Sequence, residues 1–333
     1  MKLLLPDSID LDLGPGLPAG VEAVTYAVAR PVPAGHTDAE ALVVWGNPAD
    51  QLADAARRLP RLRWVQTLAA GPDAVLAAGF APKVVITGGT GLHDVTVAEH
   101  TLALVLAAAR RLPQLTRAQI GHRWAGEWGG LQPVHEPDSF RTLRGAEVVI
   151  WGFGGIAATL APHLTALGAR VTGVARAAGE RHGHPVVTAA DLVRVLPRAD
   201  VLIMILPATP DTRHALDARV LALLPPHAWL INVGRGSTVD ESALLAALRE
   251  RRLAGAALDV VATEPLPPDS PLWDEPNVLI TPHAAGGRPI GAADRIATNL
   301  AALLAGKPLT HVVAEPPSGD AGPTAGNEGG LRA

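Results

Sequence analysis

Residues 147–168, EVVIWGFGGIAATLAPHLTALG, run from a β-branched strand pattern through glycines into a helical pattern. Gly152 permits a tight turn after the strand, and Gly154 lets a pyrophosphate approach the backbone. A helix that begins near Gly155 would point free N–H groups and the positive end of its dipole at that anion. The segment therefore predicts a dinucleotide site, with Ala157 where a third glycine often lies. An ordinary turn is the alternative in a chain with 34 glycines.

Short apolar runs and amphipathic stretches alternate on both sides of this segment. The runs are typical of buried strands, and the stretches repeat their apolar positions at helical spacing. The predicted strands are 41–44, 62–68, 83–87, 147–151, 170–175, 201–206, 229–233, 255–261 and 278–281. The predicted helices are 48–59, 95–112, 155–167, 189–196, 217–224, 241–251 and 292–304. This alternation predicts an α/β fold of two doubly wound parallel sheets, which bind ligands at the carboxyl ends of their strands.

The order of these elements predicts a discontinuous domain. The strands form one series before about residue 90 and a second from about 145 to 283. The last helical stretch comes too late to extend the second sheet, so we expect it to pack on the first domain. We predict a first domain of 1–94 plus 287–313 and an inserted domain of 95–286. The segment 314–333 is rich in Pro, Gly and Ala and is predicted to be a disordered tail.

Composition excludes several classes of function. The 333 residues are 48% hydrophobic and 18% charged, which suits a folded chain of about two domains. A formal charge of −4 argues against nucleic acid or an anionic membrane as a partner. The lack of cysteine excludes disulfides, thiolate metal sites and a cysteine nucleophile. His182 and His184 have no evident third ligand, so no metal is predicted. We expect a cytoplasmic protein that acts on a small molecule.

The end of the next predicted strand bears on the choice of dinucleotide. Ala175 and Arg176 stand where such folds usually carry an acid that bonds the adenosine 2′-hydroxyl. An acid would repel a 2′-phosphate, whereas the Arg176 guanidinium can bind one through charge-assisted hydrogen bonds. This favours NADP(H), with NAD(H) as the alternative. Arg181, in the following loop, is either an assisting cation or a solvated side chain.

Three segments at predicted strand ends carry polar groups: INVGRGSTVD (231–240), ALDVVATEPL (257–266) and NVLITPHAAG (277–286). Parallel strands end at one edge of a sheet, so their side chains should meet near the reactive end of a nicotinamide. The side chains concerned are Arg235, Asp259, Glu264 and His283. Reduction of a 2-oxo acid needs a hydride, a proton and a cation for the carboxylate. His283 can give the proton, Glu264 can fix the imidazole tautomer, and Arg235 suits the carboxylate.

From about residue 41 to 313 the sequence resembles the D-isomer-specific 2-hydroxyacid dehydrogenases. The segments that carry the resemblance are VAEHTLALVLAAARRLP (97–113), VVIWGFGGIA (148–157), LPATPDTRHALDARVLALLPPHAWLINVGRGSTVD (206–240) and ALDVVATEPLPPDSPLWDEPNVLITPHAAGG (257–287). The resemblance implies a Rossmann-type cofactor domain inserted in a flavodoxin-like substrate domain, with a catalytic trio at Arg235, Glu264 and His283. It also implies a homodimer formed largely by the cofactor domains. The expected contact lies in the helix from Val95 and the segment with Trp124 and Trp128.

The motif and the resemblance together assign further contacts. Those to the cofactor are Gly152, Gly154, Gly155 and Ile156 at the pyrophosphate, Ala175, Arg176, Leu206 and Pro207 on the adenosine side, and Val233, Gly234, Arg235, Asp259, His283 and Gly286 toward the nicotinamide. Those to the substrate are Trp45, Ala70, Gly71, Arg235 and His283. Pro72 departs from the family's usual aliphatic residue and removes one N–H donor beside the substrate carboxylate. Trp45 has core packing as an alternative role, and Glu99 and His100 are interpreted as structural or domain-bridging.

The resemblance implies hydride transfer between NAD(P)H and a small 2-oxo acid, glyoxylate or hydroxypyruvate first. One alternative is an NADH-dependent D-lactate or phosphoglycerate dehydrogenase. Another, from a different class, is a dinucleotide-sensing corepressor that keeps the fold. Formate dehydrogenase is disfavoured because Glu264 stands where those enzymes typically carry an amide.

Overall fold

The computed structural model describes residues 1–13, 17–129 and 139–315. These residues form two compact units. The first comprises Met1–Leu68, Pro72–Gly89 and the described residues from Ala292 onward. The second comprises Ala69–Gly71 and Thr90–Gly291, and is longer at both ends than the segment 95–286. The predicted tail lies outside the described residues from Pro316 onward.

The two units are built from short strands and helices. The strands in chain order are β1 (Lys2–Pro6), β2 (Glu22–Tyr26), β3 (Ala41–Val44), β4 (Trp64–Thr67), β5 (Val85–Thr87), β6 (Glu147–Trp151), β7 (Arg170–Val174), β8 (Gly179–Arg181), β9 (His184–Val187), β10 (Val201–Met204), β11 (Trp229–Asn232), β12 (Gly255–Leu258), β13 (Val278–Ile280) and β14 (Val312–Ala314). The α-helices are α1 (Ala49–Arg58), α2 (Asp73–Ala77), α3 (Asp94–Ala109), α4 (Leu112–Ile120), α5 (Gly155–Ala166), α6 (Leu192–Val195), α7 (Ala218–Leu221), α8 (Glu241–Arg249) and α9 (Ala292–Leu304).

The first unit has a six-stranded sheet in the order β14-β5-β4-β3-β1-β2. Strands β1 to β5 pair in parallel, and β14 runs antiparallel to β5. The sequence patterns identified β3, β4 and β5 but not the other three strands. Strand β1 is a short apolar run that ends at a proline. The edge strand β2 exposes most of its residues, and the edge strand β14 has no buried residue. A half-exposed edge strand lacks the apolar run that identifies a central one.

Helix α9 returns the chain to the first unit through a buried polar contact. Asn299 is fully buried, and its amide nitrogen donates to Gln66 Oε1 at 3.0 Å. Its amide oxygen accepts the backbone N–H of Thr310 at 2.8 Å, ahead of β14. Ala314, which the sequence assigned to the tail, is the last residue of that strand. One asparagine therefore ties α9 to a central strand and to the segment that follows it.

The second unit has an eight-stranded sheet in the order β13-β12-β11-β10-β6-β7-β9-β8. All its pairs are parallel except β8 with β9. Buried apolar side chains cover both faces. One cluster includes residues of α3 and α5, and the other includes residues of α7 and α8. The predicted α/β class with two doubly wound sheets is confirmed, with antiparallel strands added at two edges.

The helix predicted at 95–112 is divided in two. Helix α3 ends at Ala109, and Arg111 adopts the left-handed conformation with φ of 56°. Pro113 has no N–H to continue the hydrogen-bond ladder of α3, but it fits the first turn of α4, where no such bond is needed. The prediction of one continuous helix was wrong because apolar periodicity persists through the break.

We expect Asn299→Ala to lower the free energy of unfolding by about 2 kcal/mol, because it removes buried hydrogen bonds and leaves polar groups unpaired. Urea unfolding at equilibrium measures this change. Thr298→Ala is the matched control, since Thr298 is exposed on the same helix. Equal stability of the two variants would contradict a structural role for the Asn299 contacts.

Candidate active site

The glycine loop after β6 has the shape of a phosphate cradle. Gly152 has a φ of 103°, and a Cβ there would lie 2.5 Å from the carbonyl oxygen of Ile205. Only glycine tolerates both conditions. At Gly154, just before α5, no atom of the described residues lies within 4 Å of a Cβ position. The backbone is thus tight on the sheet side and open at the start of the helix, as a dinucleotide pyrophosphate requires.

An acidic side chain lies against this loop. The Asp94 carboxylate contacts the place that a Cβ on Gly155 would occupy, so no larger residue fits there. Burial raises the pKa of the Asp94 carboxyl above its ordinary value, because partial removal from water disfavours the charged form. Asp94 is not predictable from the sequence, since no local pattern connects it with a glycine in another helix.

The residue between the glycines fixes the loop to the sheet. Phe153 is buried, and its ring lies 2.5 Å from the position of a Cβ on Gly173. Gly173 in β7 therefore makes room for an aromatic ring over the strand. The ring also meets His184 edge-on, with centroids 6.1 Å apart. This packing connects the glycine loop with the β8–β9 hairpin.

Two arginines follow β7. Arg176 is exposed, and within the described residues its guanidinium has no hydrogen bond or ion pair. Arg181, from β8, donates to the carbonyl oxygen of Phe153 at 3.3 Å and to that of Ala177 at 3.1 Å. Arg181 is thus a structural link between the glycine loop and the segment after β7, and not simply solvated.

The loop after β11 holds Arg235 between two glycines. A Cβ on Gly234 would lie 2.7 Å from the backbone nitrogen of Leu206, so the ends of β10 and β11 are in close contact. Gly236 approaches the backbone of Val261 in the same way. The Arg235 carbonyl accepts the Thr238 hydroxyl at 2.6 Å. These contacts fix the backbone of the arginine, whose side chain is partly buried.

His283 and Glu264 form a hydrogen-bonded pair. His283 Nδ1 lies 2.7 Å from Glu264 Oε2, and the side chains are 48% and 37% exposed. The other carboxylate oxygen accepts the Val261 N–H at 3.2 Å, which orients the acid. A carboxylate on Nδ1 selects the tautomer with its proton there and leaves Nε2 as the nitrogen for proton exchange.

Asp259 supports the loop that carries His283. It is 2% exposed and accepts the Thr281 hydroxyl at 2.5 Å and the N–H groups of Ala284 at 2.8 Å and Ala285 at 3.1 Å. Its carbonyl oxygen accepts the His283 N–H at 2.8 Å. A buried carboxylate needs such donors to offset its lost hydration. Its assigned contact with the nicotinamide stays a prediction.

The other predicted residues fall after strands, in loops or in the first turn of α5. Leu206 and Pro207 follow β10, buried Val233 follows β11, and Ile156 lies in the first turn of α5. Trp45 follows β3 in the first unit, where it is partly exposed and donates its N–H to Asn47 Oδ1 at 2.9 Å. Ala70 and Gly71 lie in the short segment that groups with the second unit. The structure joins His283 to Glu264 and Asp259, and Arg235 lies at the end of the strand adjacent to β12.

Sequence reasoning missed the residues at the start of α3 that reach this loop. His93 Nδ1 and Thr96 Oγ1 both lie within hydrogen-bond distance of the Gly286 carbonyl oxygen. His93, Thr96 and His100 are spaced so that they lie on one face of a helix. This spacing is the only sign in the sequence that they act together. Among the described residues no group of three or more His, Asp and Glu could hold a metal ion, and no helix is long and apolar enough to cross a membrane.

Comparison with known proteins connects this geometry with one family. A model of the "D-isomer specific 2-hydroxyacid dehydrogenase, NAD binding domain" matches residues 102–285. Glyoxylate/hydroxypyruvate reductase A of Serratia proteamaculans is 36% identical over 290 residues, covering 84% of this chain and 88% of the relative. Glyoxylate reductase of Aeropyrum pernix is 36% identical over 270 residues, covering 78% of each chain.

Solved structures that are similar to this chain belong to the same family. The NADPH-dependent glyoxylate/hydroxypyruvate reductase of Sinorhizobium meliloti in complex with NADP and sulfate has a TM-score of 0.76 at 28% identity, covering 94% of this chain and 97% of that one. A D-isomer specific 2-hydroxyacid dehydrogenase of Xanthobacter autotrophicus with NADPH and MES has a TM-score of 0.75 at 32% identity, covering 94% and 98%. The chain therefore belongs to the D-isomer-specific 2-hydroxyacid dehydrogenase family and is a nicotinamide-dependent oxidoreductase of that family.

Proposed function

We propose that this enzyme reduces a small 2-oxo acid, glyoxylate or hydroxypyruvate first, with NADPH as the preferred coenzyme. The observation that carries the proposal is the hydrogen-bonded pair of His283 and Glu264, at the same sheet edge as an open glycine cradle. The names of the Serratia and Sinorhizobium relatives support the choice of substrate. The first unit is then the substrate domain, and the second is the cofactor domain.

The residues present fit a dinucleotide. Gly152, Gly154 and the first turn of α5 would hold the pyrophosphate, and the loop ends after β10 and β11 would line its nicotinamide side. A bound reduced nicotinamide supplies the hydride. His283 Nε2 gives a proton to the carbonyl oxygen of the substrate, while Glu264 stabilises the ring in its protonated form. In the oxidative direction the same nitrogen takes the proton back.

The substrate carboxylate needs its own partners. The Arg235 guanidinium suits a planar carboxylate through paired hydrogen bonds. The backbone N–H groups of Ala70 and Gly71 are further candidate donors, and Pro72 contributes none. Trp45 is proposed as a further substrate contact.

A steady-state panel tests the substrate. We expect NADPH oxidation to be faster with glyoxylate and hydroxypyruvate than with pyruvate or phosphohydroxypyruvate. His283→Asn should lower kcat by about a thousandfold, because general acid catalysis contributes that much, while coenzyme affinity measured by fluorescence titration is retained.

His163→Asn is the matched control, since His163 is exposed on α5. Full activity of His283→Asn would contradict the assignment of the proton donor. Tight coenzyme binding with slow turnover of every acid would instead favour the corepressor class.

The preference for NADPH rests on the two arginines after β7. Arg176 is exposed at the position that usually holds an acid, and the Arg181 guanidinium contacts the carbonyl oxygens of Phe153 and of Ala177, the residue after Arg176. Two positive charges here attract a negatively charged 2′-phosphate, whereas they have no net charge to attract on a 2′-hydroxyl. The complexes of the Sinorhizobium and Xanthobacter proteins with NADP and NADPH support the same preference.

Substitution of these arginines should change the preference. We expect Arg176→Ala to raise the KM for NADPH about tenfold or more and to leave the KM for NADH nearly unchanged, since a charge-assisted hydrogen bond is worth about 1.5–3 kcal/mol. Arg181→Ala should have the same effect to a smaller extent. Arg198→Ala, at an exposed arginine after α6, is the control. An unchanged ratio of the two KM values in Arg176→Ala would exclude the 2′-phosphate contact.

We further propose a homodimer formed by the cofactor domains. Ile120 at the end of α4 is 74% exposed, and Trp124 just beyond it is 95% exposed. The Arg111 guanidinium lies 4.1 Å from the centre of the Trp128 ring, so this segment is ordered by a cation–π contact. Large apolar side chains presented in this way are typical of a surface that another chain covers.

Sedimentation velocity tests the dimer. We expect the native protein to sediment as a dimer and Trp124→Asp to shift it toward a monomer, because a charge would have to be buried at the contact. Val193→Asp should leave the dimer intact, since Val193 is an exposed apolar residue of α6. A native monomer at micromolar concentration would refute the proposal.

A further inference from the structure

We infer that His93, Thr96 and His100 form a polar clamp, in which α3 positions the loop 281–286 for proton transfer by His283. The inference rests on the proposed role of His283 as the proton donor. The three residues follow a spacing of i, i+3 and i+7, which puts them on one face of a helix. They contact the two ends of the loop, and His283 lies between those ends.

The first half of the clamp holds the carboxyl end of the loop. His93 Nδ1 lies 2.8 Å from the Gly286 carbonyl oxygen, and the Thr96 hydroxyl donates to the same oxygen at 2.6 Å. A carbonyl only accepts hydrogen bonds, so His93 must carry its proton on Nδ1. His93 is 3% exposed, and its imidazole is therefore committed to this contact rather than to solvent.

The second half holds the amino end through a chain of hydrogen bonds. Because the Thr281 hydroxyl gives its proton to Asp259 Oδ1, it can only accept from His100 Nε2, which lies 3.0 Å away. His100 Nε2 is also 3.4 Å from Asp259 Oδ1. His100 thus donates toward the buried carboxylate of Asp259. The same carboxylate accepts N–H groups of the loop, so His100 supports the group that holds the loop in place.

The loop needs this support because His283 has an unfavourable backbone conformation. Its φ is 52°, in the left-handed region that residues with a Cβ seldom adopt. Such a conformation persists only where neighbouring contacts impose it. Release of either end would let the ring turn away from Glu264, and a misplaced proton donor slows catalysis even though every catalytic group remains. His100 is therefore a positioning residue.

The test compares two substitutions of His100. We expect His100→Ala to lower kcat about tenfold or more by misplacing His283, with the KM for NADPH changed by less than about twofold. His100→Gln should recover most of the activity, because its amide can donate to the Thr281 hydroxyl. Thr96→Val, which removes one of two donors to Gly286, should cause a smaller loss. His163→Ala is the control for loss of an exposed imidazole.

Hydrogen exchange supplies a measurement independent of turnover. In the free enzyme, His100→Ala should speed exchange of the amides of Ala284 and Ala285, which bond to Asp259, while His100→Gln should not. Normal exchange and kcat in His100→Ala would overturn the inference. So would equal losses in the Ala and Gln variants with a lowered Tm, which indicate a merely structural role. A wild type inactive on every 2-oxo acid would refute the proposed function, while the exchange result would still decide whether the clamp exists.

Discussion

The geometry of the active site depends on the buried carboxylate of Asp259. A carboxylate in a low-dielectric environment is stable only when donors surround it, and the segment after β13 supplies them through the Thr281 hydroxyl and the N–H groups of Ala284 and Ala285. The carboxylate and the loop therefore depend on each other. The loop must fold around Asp259 to satisfy the charge, and once folded it fixes His283 in the left-handed conformation opposite Glu264. The His283 imidazole, our proposed proton donor, is thus oriented by the hydrogen bonds that a neighbouring buried carboxylate requires.

The sheet provides the second constraint. Strands β10 to β13 end at one edge, and their loops approach each other so closely that Gly234 and Gly236 have no space for a side chain. The same condition holds at Gly152, where the glycine loop passes the end of β10. Close contact between loop backbones leaves few conformations for the residues they carry. Arg235, the glycine loop and the hydrogen-bonded pair of His283 and Glu264 can then be held on short loops without disulfides.

Much of this was predictable from the sequence, for identifiable reasons. The central strands are continuous apolar runs because they are buried on both faces, and polar residues that directly follow them must lie at the sheet edge. This reasoning identifies the glycine loop and the pair of His283 and Glu264 from the residues alone. It does not identify β1, a short apolar run that ends at a proline, or the strands β2, β8, β9 and β14 near the sheet edges, which are partly exposed and leave the apolar pattern weak. It also misses the break after Ala109, because apolar periodicity continues through it.

The residues that support the site were less predictable than those that form it. The proposed role of Arg176 follows from its place after a strand, where the structure leaves its side chain exposed and one residue sets the local charge. The contact of His93 with Gly286 spans 193 residues, and that of His100 with Thr281 spans 181. Each partner has an ordinary local context, and only the packing of α3 on the sheet brings them together. Groups that act on a substrate repeat a recognisable chemistry, whereas those that orient them need only a donor at the right point in space.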